Sequence, residues 1–573
     1  MSLGTAAIGG TPGRYEDRPG IFLSLLAPLI TLLCLVPIAR LAFEGIWSDG
    51  AFSTHHITKV LTEATTWRAT WHSLLISGLG TFISLLLGGA FAFVIALTDV
   101  RAKAALVFCF MLPMMIPPQI TALSWLQMFG PTSALLKMLG IAPALGSPQP
   151  LYSVGGIAML LGIQHASLIF LTLRAALRQI PREQVEAARL AGANGYRVWR
   201  DIILPITSPA LIAGIAMTFV TAIGNFGISA MLGIPANIQM LPTLIYSKLS
   251  SFGPSVLSEV AILAILIGLI AIAGVLLHHV LVRGRDYRLH GIVGRPLDIS
   301  LGRYRTPVEI GLWLVLAFIL VIPLIALLSA SLVPAFGMVL SPETASLEAY
   351  REVIFRQAAT LRAFLNSFGL SIGAAVVLFG LTVPLAYSMV REKGWRPQAI
   401  NMLVEMPYAL PGIVLAIACI LAFQRIPIIN ISLYGTLAII FIAYLARFFV
   451  ISLRPVLSSF QQMDPNLEEA AQACGASRTR RLIDILAPAV APSAAAGGLL
   501  VFLTAFNELT VSALLWSSGN ETIGVMIFNL DDSGDSVLAS AVAVLVVGVV
   551  LGLMALIEVM GNRLPKGVIP WRS

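Results

Sequence analysis

The sequence predicts an all-α membrane protein with about twelve transmembrane helices arranged as two parallel six-helix repeats, and three observations lead there. Of 573 residues, 58% are hydrophobic and only 11% charged, with a mean hydropathy of +0.90; soluble domains carry about 25% charged residues. About twelve apolar runs reach the roughly twenty residues that a bilayer core demands. Finally, a polar, alanine-rich segment occurs twice, 283 positions apart.

The apolar runs cover 21–43, 73–97, 104–126, 155–177, 207–232 and 257–282, then 308–330, 366–390, 399–422, 435–455, 490–516 and 536–561. The first follows a polar tail, 1–20, and lacks a small-residue cleavage site, so it reads as a retained helix. Lysine and arginine set the orientation. With the N-terminus inside, 27 of the 36 fall on the cytoplasmic side and nine outside, which places both termini in the cytoplasm. The formal charge of +8 is spread in short clusters between apolar runs, a pattern that fits membrane topology better than a nucleic-acid surface, so no nucleic-acid partner is expected. Cys34, Cys109, Cys419 and Cys474 show neither disulfide nor metal-type spacing.

The repeated segment is Glu186-Ala187-Ala188, three residues, Gly192, nine residues, then Ile202-Ile203-Leu204-Pro205. Its second copy is Glu469-Ala470-Ala471, three residues, Gly475, nine residues, then Ile485-Leu486-Ala487-Pro488. Both fall on the cytoplasmic side, after the fourth and tenth runs. Six runs per half is an even number, so the halves point the same way. Pro181 and Pro465 sit where a helix tolerates proline, Glu468 and Glu469 suit a helix's first turn, and Gly192 and Gly475 break it or allow close approach. A turn and a second short helix follow, and Pro205 and Pro488 are expected to end the segment before the next span. Each copy thus reads as a cytoplasmic elbow, 183–205 and 466–488, with small residues exposed for docking.

The repeat reaches further. Leu112-Pro113 and Ile116-Pro117 match Met406-Pro407 and Leu410-Pro411 at an offset of 294, as do His72-Ser73 and Asn366-Ser367. The halves are therefore taken as 21–282 and 308–573, joined by an arginine-rich cytoplasmic linker, 283–307.

The two segments resemble the cytoplasmic signature of permease subunits of binding-protein-dependent ABC importers: Glu-Ala-Ala, three residues, Gly, nine residues, Ile, any residue, Leu, Pro. The first copy matches throughout, and the second departs only at Ala487, where the family has Leu. The resemblance implies that Glu186, Ala187, Ala188, Gly192, Pro205, Glu469, Ala470, Ala471, Gly475 and Pro488 couple the chain to an ATPase. It further implies two copies of an ABC ATPase subunit, a periplasmic substrate-binding protein, a bacterial inner membrane location and no cofactor or resident metal. The fused halves, with Asn225-Phe226-Gly227 and Pro407–Gly412, are most similar to ferric iron permeases, with thiamine, polyamine and phosphonate systems as relatives.

No phosphate loop is encoded, because none of the six lysines (59, 103, 137, 248, 393 and 566) follows a glycine. Polar residues inside spans are costly and mark candidate pathway positions. Thr221, Asn225, Thr504, Asn507 and Glu508 are taken for the translocation path; Thr221 and Thr504 are equivalent at offset 283, as are Asn225 and Glu508. The competing role for them is an interhelical hydrogen bond that locks the bundle. Gln164 and Arg447, equivalent at the same offset, and His165 are further polar intrusions. The prolines inside runs three and nine free carbonyls and introduce kinks. A gradient-driven transporter shares the helix count but leaves the paired elbows without a purpose.

Overall fold

The computed structural model describes residues 21–48, 51–52, 54–251, 253, 255–282, 297–392, 394–424 and 431–560. The predicted tail 1–20, the linker residues 283–296, Lys393, Arg425, Lys566 and the side chain of Glu558 lie outside the described residues.

Twenty helices carry the architecture. The first half holds α1 (Phe22–Glu44), α2 (Ala64–Leu97), α3 (Lys103–Met115), α4 (Pro118–Met128), α5 (Val154–Leu177), α6 (Arg182–Leu190), α7 (Gly195–Ile223), α8 (Gly227–Gly233), α9 (Leu241–Leu249) and α10 (Val256–Val282). The second repeats this order as α11 (Gly302–Ser331), α12 (Ala358–Arg391), α13 (Trp395–Ala409), α14 (Gly412–Phe423), α15 (Leu437–Gln462), α16 (Asn466–Ala473), α17 (Arg478–Phe506), α18 (Ser512–Leu515), α19 (Ile523–Asp532) and α20 (Ser536–Met560). Each of these ten first-half helices therefore has its counterpart ten numbers later.

Among the described residues, ten helices are long and apolar enough to span a bilayer on their own. Runs three and nine are not the continuous helices the sequence suggested: α3–α4 bends by 99° and α13–α14 by 110°. The break falls at Ile116-Pro117 and Leu410-Pro411, where the residue before proline is extended (ψ 133° and 144°), as the clash with the pyrrolidine ring requires. A further proline, Pro118, opens α4, whereas Pro113 and Pro407 stay inside helices.

Each bent pair still makes one crossing, as helix packing around it shows. Ser84 Oγ on α2 donates to Gly162 O on α5 at 2.7 Å, Gly80 lies against Leu161, and Gly88 against Ala166 and Phe170. Residue numbers rise together along both helices, so α2 and α5 run parallel, and the chain between them must return to the side where α2 began. Thr382 with Ser452, and Gly373 with Phe441, establish the same for α12 and α15. Small residues make this closeness possible: a Cβ at Gly88 would sit 2.3 Å from the Ala166 carbonyl.

Runs five and eleven were also expected to continue, to 232 and 516. Instead α7 stops at Ile223 and α17 at Phe506, and a short helix restarts in each half. The halves interlock: α1 packs on α14, and α11 packs on α4, with Phe318 edge-on to Trp125 at 5.4 Å.

Candidate functional site

Both elbows lie on one face of the bundle. α6 follows the end of α5 and α16 the end of α15, while α2 and α12 end on that same side. Tyr387 and Arg391, at the end of α12, reach Glu468 in the second elbow at 2.5 and 2.6 Å. The chain also enters the bundle there, since Arg478 lies over the Phe22 ring at 5.9 Å.

Within each elbow the backbone follows one plan. Pro181 and Pro465 occupy the N-cap positions of α6 and α16. Gly192 N donates to Arg189 O at 3.0 Å and Ala193 N to Ala188 O at 2.9 Å; Gly475 N donates to Gln472 O at 2.9 Å and Ala476 N to Ala471 O at 3.1 Å. This is the Schellman ending, which needs a left-handed residue, and the two glycines have φ of +86° and +81°. No atom lies within 4 Å of a Cβ built on either, so conformation and not close approach explains them. Asn194 and Ser477 then cap the second short helix through Arg197 N and Arg480 N.

That second helix runs unbroken into the membrane, contrary to the expectation that Pro205 and Pro488 end the segment. A π-helical turn, Trp199–Ile203 and Leu482–Leu486, immediately precedes each of the helices that hold these prolines at their starts. A wider turn of this kind accommodates the missing N–H and the ring without breaking the helix.

Glu186, Ala187, Gly192, Glu469, Ala470 and Gly475 are exposed, Ala188 is half-buried, and Ala471 faces inward. Glu186 accepts from Arg182 Nε at 2.5 Å. Around the motif, Leu190 is 91% exposed, and Tyr196, Leu467 and Ile483 also stand open, an apolar surface suited to a protein partner.

The elbows differ in how they are held. Glu468 pairs with Arg391 at 2.6 Å and Arg481 at 3.6 Å and accepts from the Tyr387 hydroxyl; Arg478 lies 3.9 Å from Glu392. Burial raises the Glu392 carboxyl above its usual range, against the pull of Arg478 and Arg396. At the equivalent first-half positions stand Val185, Val198, Phe93 and Leu97, all buried or half-buried. One elbow is seated on apolar contacts, the other on an ionic cluster.

The polar residues inside the bundle fall into two groups. Asn225 and Glu508 occupy the breaks after α7 and α17, and both cap the helix that follows. Asn225 Oδ1 accepts from Ile228 N at 3.0 Å, and the Glu508 carboxylate accepts from Val511 N at 2.9 Å and Ser512 N at 3.3 Å. A second group closes the proline break of the first half: Asn507 Nδ2 donates to Met115 O at 2.9 Å and Gln164 Nε2 to Ile116 O at 3.1 Å. These carbonyls are the ones the bend deprives of helical partners. Thr221 and Thr504 return their hydroxyls to the carbonyls of Met217 and Leu500, each at 2.7 Å. His165 binds Leu161 O at 2.8 Å, and no cluster of three or more metal-ligating side chains exists among the described residues.

A pair noticed only as repeated turns out to have a role. Ser73 Oγ accepts from Leu241 N at 2.7 Å and Ser367 Oγ from Ile523 N at 2.9 Å, tying the starts of α9 and α19 to α2 and α12. His72 and Asn366 bind the carbonyls of Gln239 and Glu521 beside them, each at 3.0 Å. The shared offset was the available signal; the distant backbone partner was not visible in it.

The family described as Binding-protein-dependent transport system inner membrane component matches residues 80–287 and 379–568, one match per half. The chain is 26% identical to the probable ABC transporter permease protein y4fN of Sinorhizobium fredii, covering 97% of this chain and 98% of that one. It is 24% identical to the ferric transport system permease protein FbpB of Actinobacillus pleuropneumoniae, over 96% and 79%. The molybdenum transport system permease protein ModB of Escherichia coli K12 is 27% identical over 36% of this chain and 90% of its own length.

Proposed function

We propose, for a chain that belongs to the family of inner membrane components of binding-protein-dependent transport systems, that it is a two-half permease of an ABC importer for ferric iron. The halves, 21–282 and 308–573 joined by 283–307, enclose one translocation path. The pair of exposed elbows ending at Gly192 and Gly475 on a single face carries this reading. Each elbow receives one ATPase subunit, so two copies bind. Glu186, Ala187, Ala188, Gly192 and Pro205 serve the first; Glu469, Ala470, Ala471, Gly475 and Pro488 serve the second.

The elbow face is cytoplasmic, in line with the lysine and arginine distribution, and both termini lie on that side. A periplasmic binding protein delivers cargo to the opposite face. Hydrolysis belongs to the partner, in keeping with the absence of any Gly-Lys pair from the sequence. Thr221, Asn225, Thr504, Asn507 and Glu508 belong to the path: the threonines face it, and the other three hold the breaks that give it shape. Iron is favoured by relatives named for ferric transport that cover most of the chain. A molybdate-type oxyanion is the second reading, favoured by relatives named for molybdenum transport that match about one half.

The test is iron(III) uptake into proteoliposomes holding the permease, its ATPase and iron-loaded binding protein. A Glu186→Ala/Glu469→Ala double variant should insert normally and lose uptake. Undiminished uptake by that variant would overturn the coupling role.

A further inference from the structure

The two proline breaks, alike in backbone, are closed differently. In the first half, Asn507 and Gln164 fill the bend and satisfy its carbonyls. At offset 283 their counterparts are Gly224 and Arg447. Gly224 has no side chain to offer and lies against Pro411, whose Cβ would be 2.9 Å from an added Cβ. Arg447 lays its guanidinium against Gly412, where an added Cβ would meet Nη1 at 2.4 Å, and Nη1 has no hydrogen-bond partner among the described residues.

The space this leaves is a cavity of about 320 Å³ between the halves, lined by Thr221, Gly224, His278, Leu410, Gly412 and Arg447 among others. Among the described residues, no aspartate or glutamate lines it. The carboxylate that bears on Arg447 from a neighbouring element, Glu508, is outside the lining and already accepts from Val511 N and Ser512 N. Arg447 has no carboxylate within 4 Å among the described residues.

The buried Nη1 edge of this half-buried guanidinium is costly to leave without an acceptor, and its planar fork suits an oxyanion. A bare trivalent cation would meet the reverse: a positive side chain and no oxygen-rich carboxylate cage. We infer that the second break is a binding subsite for an oxyanion group, with Arg447 its anchor, so that cargo passes as an anion or as a metal held in an oxyanion complex. The inference rests on the proposed permease role and narrows the form in which iron crosses: with its anionic ligands, not as the naked ion.

The probe is a cysteine at Thr221, which is exposed to the cavity, in a full-length chain lacking Cys34, Cys109, Cys419 and Cys474 and held in lipid nanodiscs. With each rate divided by that reagent's rate toward a small free thiol, modification by an anionic sulfonatoethyl methanethiosulfonate should be favoured over the cationic trimethylammonium analogue roughly fivefold. That is the Boltzmann ratio for opposite unit charges about 8 Å from a guanidinium in a watery cavity. Arg447→Gln should erase the preference and Arg447→Lys should retain it. Ferric citrate, citrate alone, orthophosphate and molybdate are then tested as protectants. Protection by ferric citrate alone assigns the site to a metal complex, and protection by a free anion assigns it to the oxyanion itself. No anionic preference, a preference that survives Arg447→Gln, or no protection by any of the four would overturn the subsite. The permease role is read separately by binding-protein-dependent uptake, which can persist when the subsite fails.

Discussion

Replacing Glu468 should loosen the second elbow alone, and the structure sets the size of the effect. Glu468 meets Arg391, Arg481 and Tyr387, with side-chain exposures of 12% for Glu468, 31% for Arg391 and 5% for Arg481. Removing one partner of a buried pair costs about 3–5 kcal/mol, because the other charge is left stranded. Arg391 can hydrate, and Arg481 keeps its hydrogen bond to Ala476 O at 3.2 Å, so Glu468→Val should cost about 2–3 kcal/mol. Local opening would then be roughly 30- to 150-fold more frequent. The first elbow supplies the control, since it holds Val185, Val198 and Phe93 at the equivalent positions. A triple variant, Glu468→Val/Arg481→Val/Tyr387→Phe, copies those three positions, leaves the part-exposed Arg391 to hydrate, and should lie within about 1 kcal/mol of native, as apolar replacements of buried ion pairs do. Amide hydrogen exchange across 466–488 reads both variants, with 183–205 as the internal reference. The reasoning fails if the single variant exchanges no faster than the triple, or if the reference elbow loosens equally.

Gly192→Ala and Gly475→Ala each place an L-residue in left-handed backbone with open space around it, costing about 1–2 kcal/mol. Each should reduce stimulated ATP hydrolysis of the assembled complex while leaving membrane insertion intact, as measured by turnover and detergent-extracted yield. Asn507→Ala strips the Met115 carbonyl of its donor across the two halves and should cost about 0.6–2 kcal/mol. A thermal unfolding shift checks it, and Asn507→Gln is expected to recover part of the loss. Ser367→Ala removes the cap of α19 at about 0.5–2 kcal/mol, visible as faster exchange at Ile523 and Gly524 but not at Leu241 in α9. For Glu508, the cap role predicts that Glu508→Asn, which copies the first half, keeps more thermal stability than Glu508→Ala.

How much was legible in the chain depended on the range of the cause. The helix, the turn at Gly192 and Gly475 and the second short helix of each elbow were readable, because they follow from contacts within a few positions; that the glycines are left-handed and not sites of close approach was not. The breaks at Pro117 and Pro411 announced themselves as prolines. Their depth did not: the 99° bend has its freed carbonyls met by Asn507 and Gln164 from other helices, while the 110° bend borders a cavity. Pro205 and Pro488 misled for a related reason: local chemistry marks them as ends, while a π-helical turn carries the helix past them.

The sequence by itself determined the class, the number of crossings, the duplication and the two elbows. These rest on hydrophobic length, charge asymmetry and short-range backbone preference, all written in consecutive residues. Only the tertiary structure decided that Asn507 serves the opposite half, that α1 and α11 pack across the repeat boundary, and that one elbow is ionic where its twin is apolar. It also decided that Gly224 and Arg447 leave a cavity where Asn507 and Gln164 close one. Those outcomes belong to pairs hundreds of residues apart in sequence, and a hydrogen bond or a void exists only once both sides are in place.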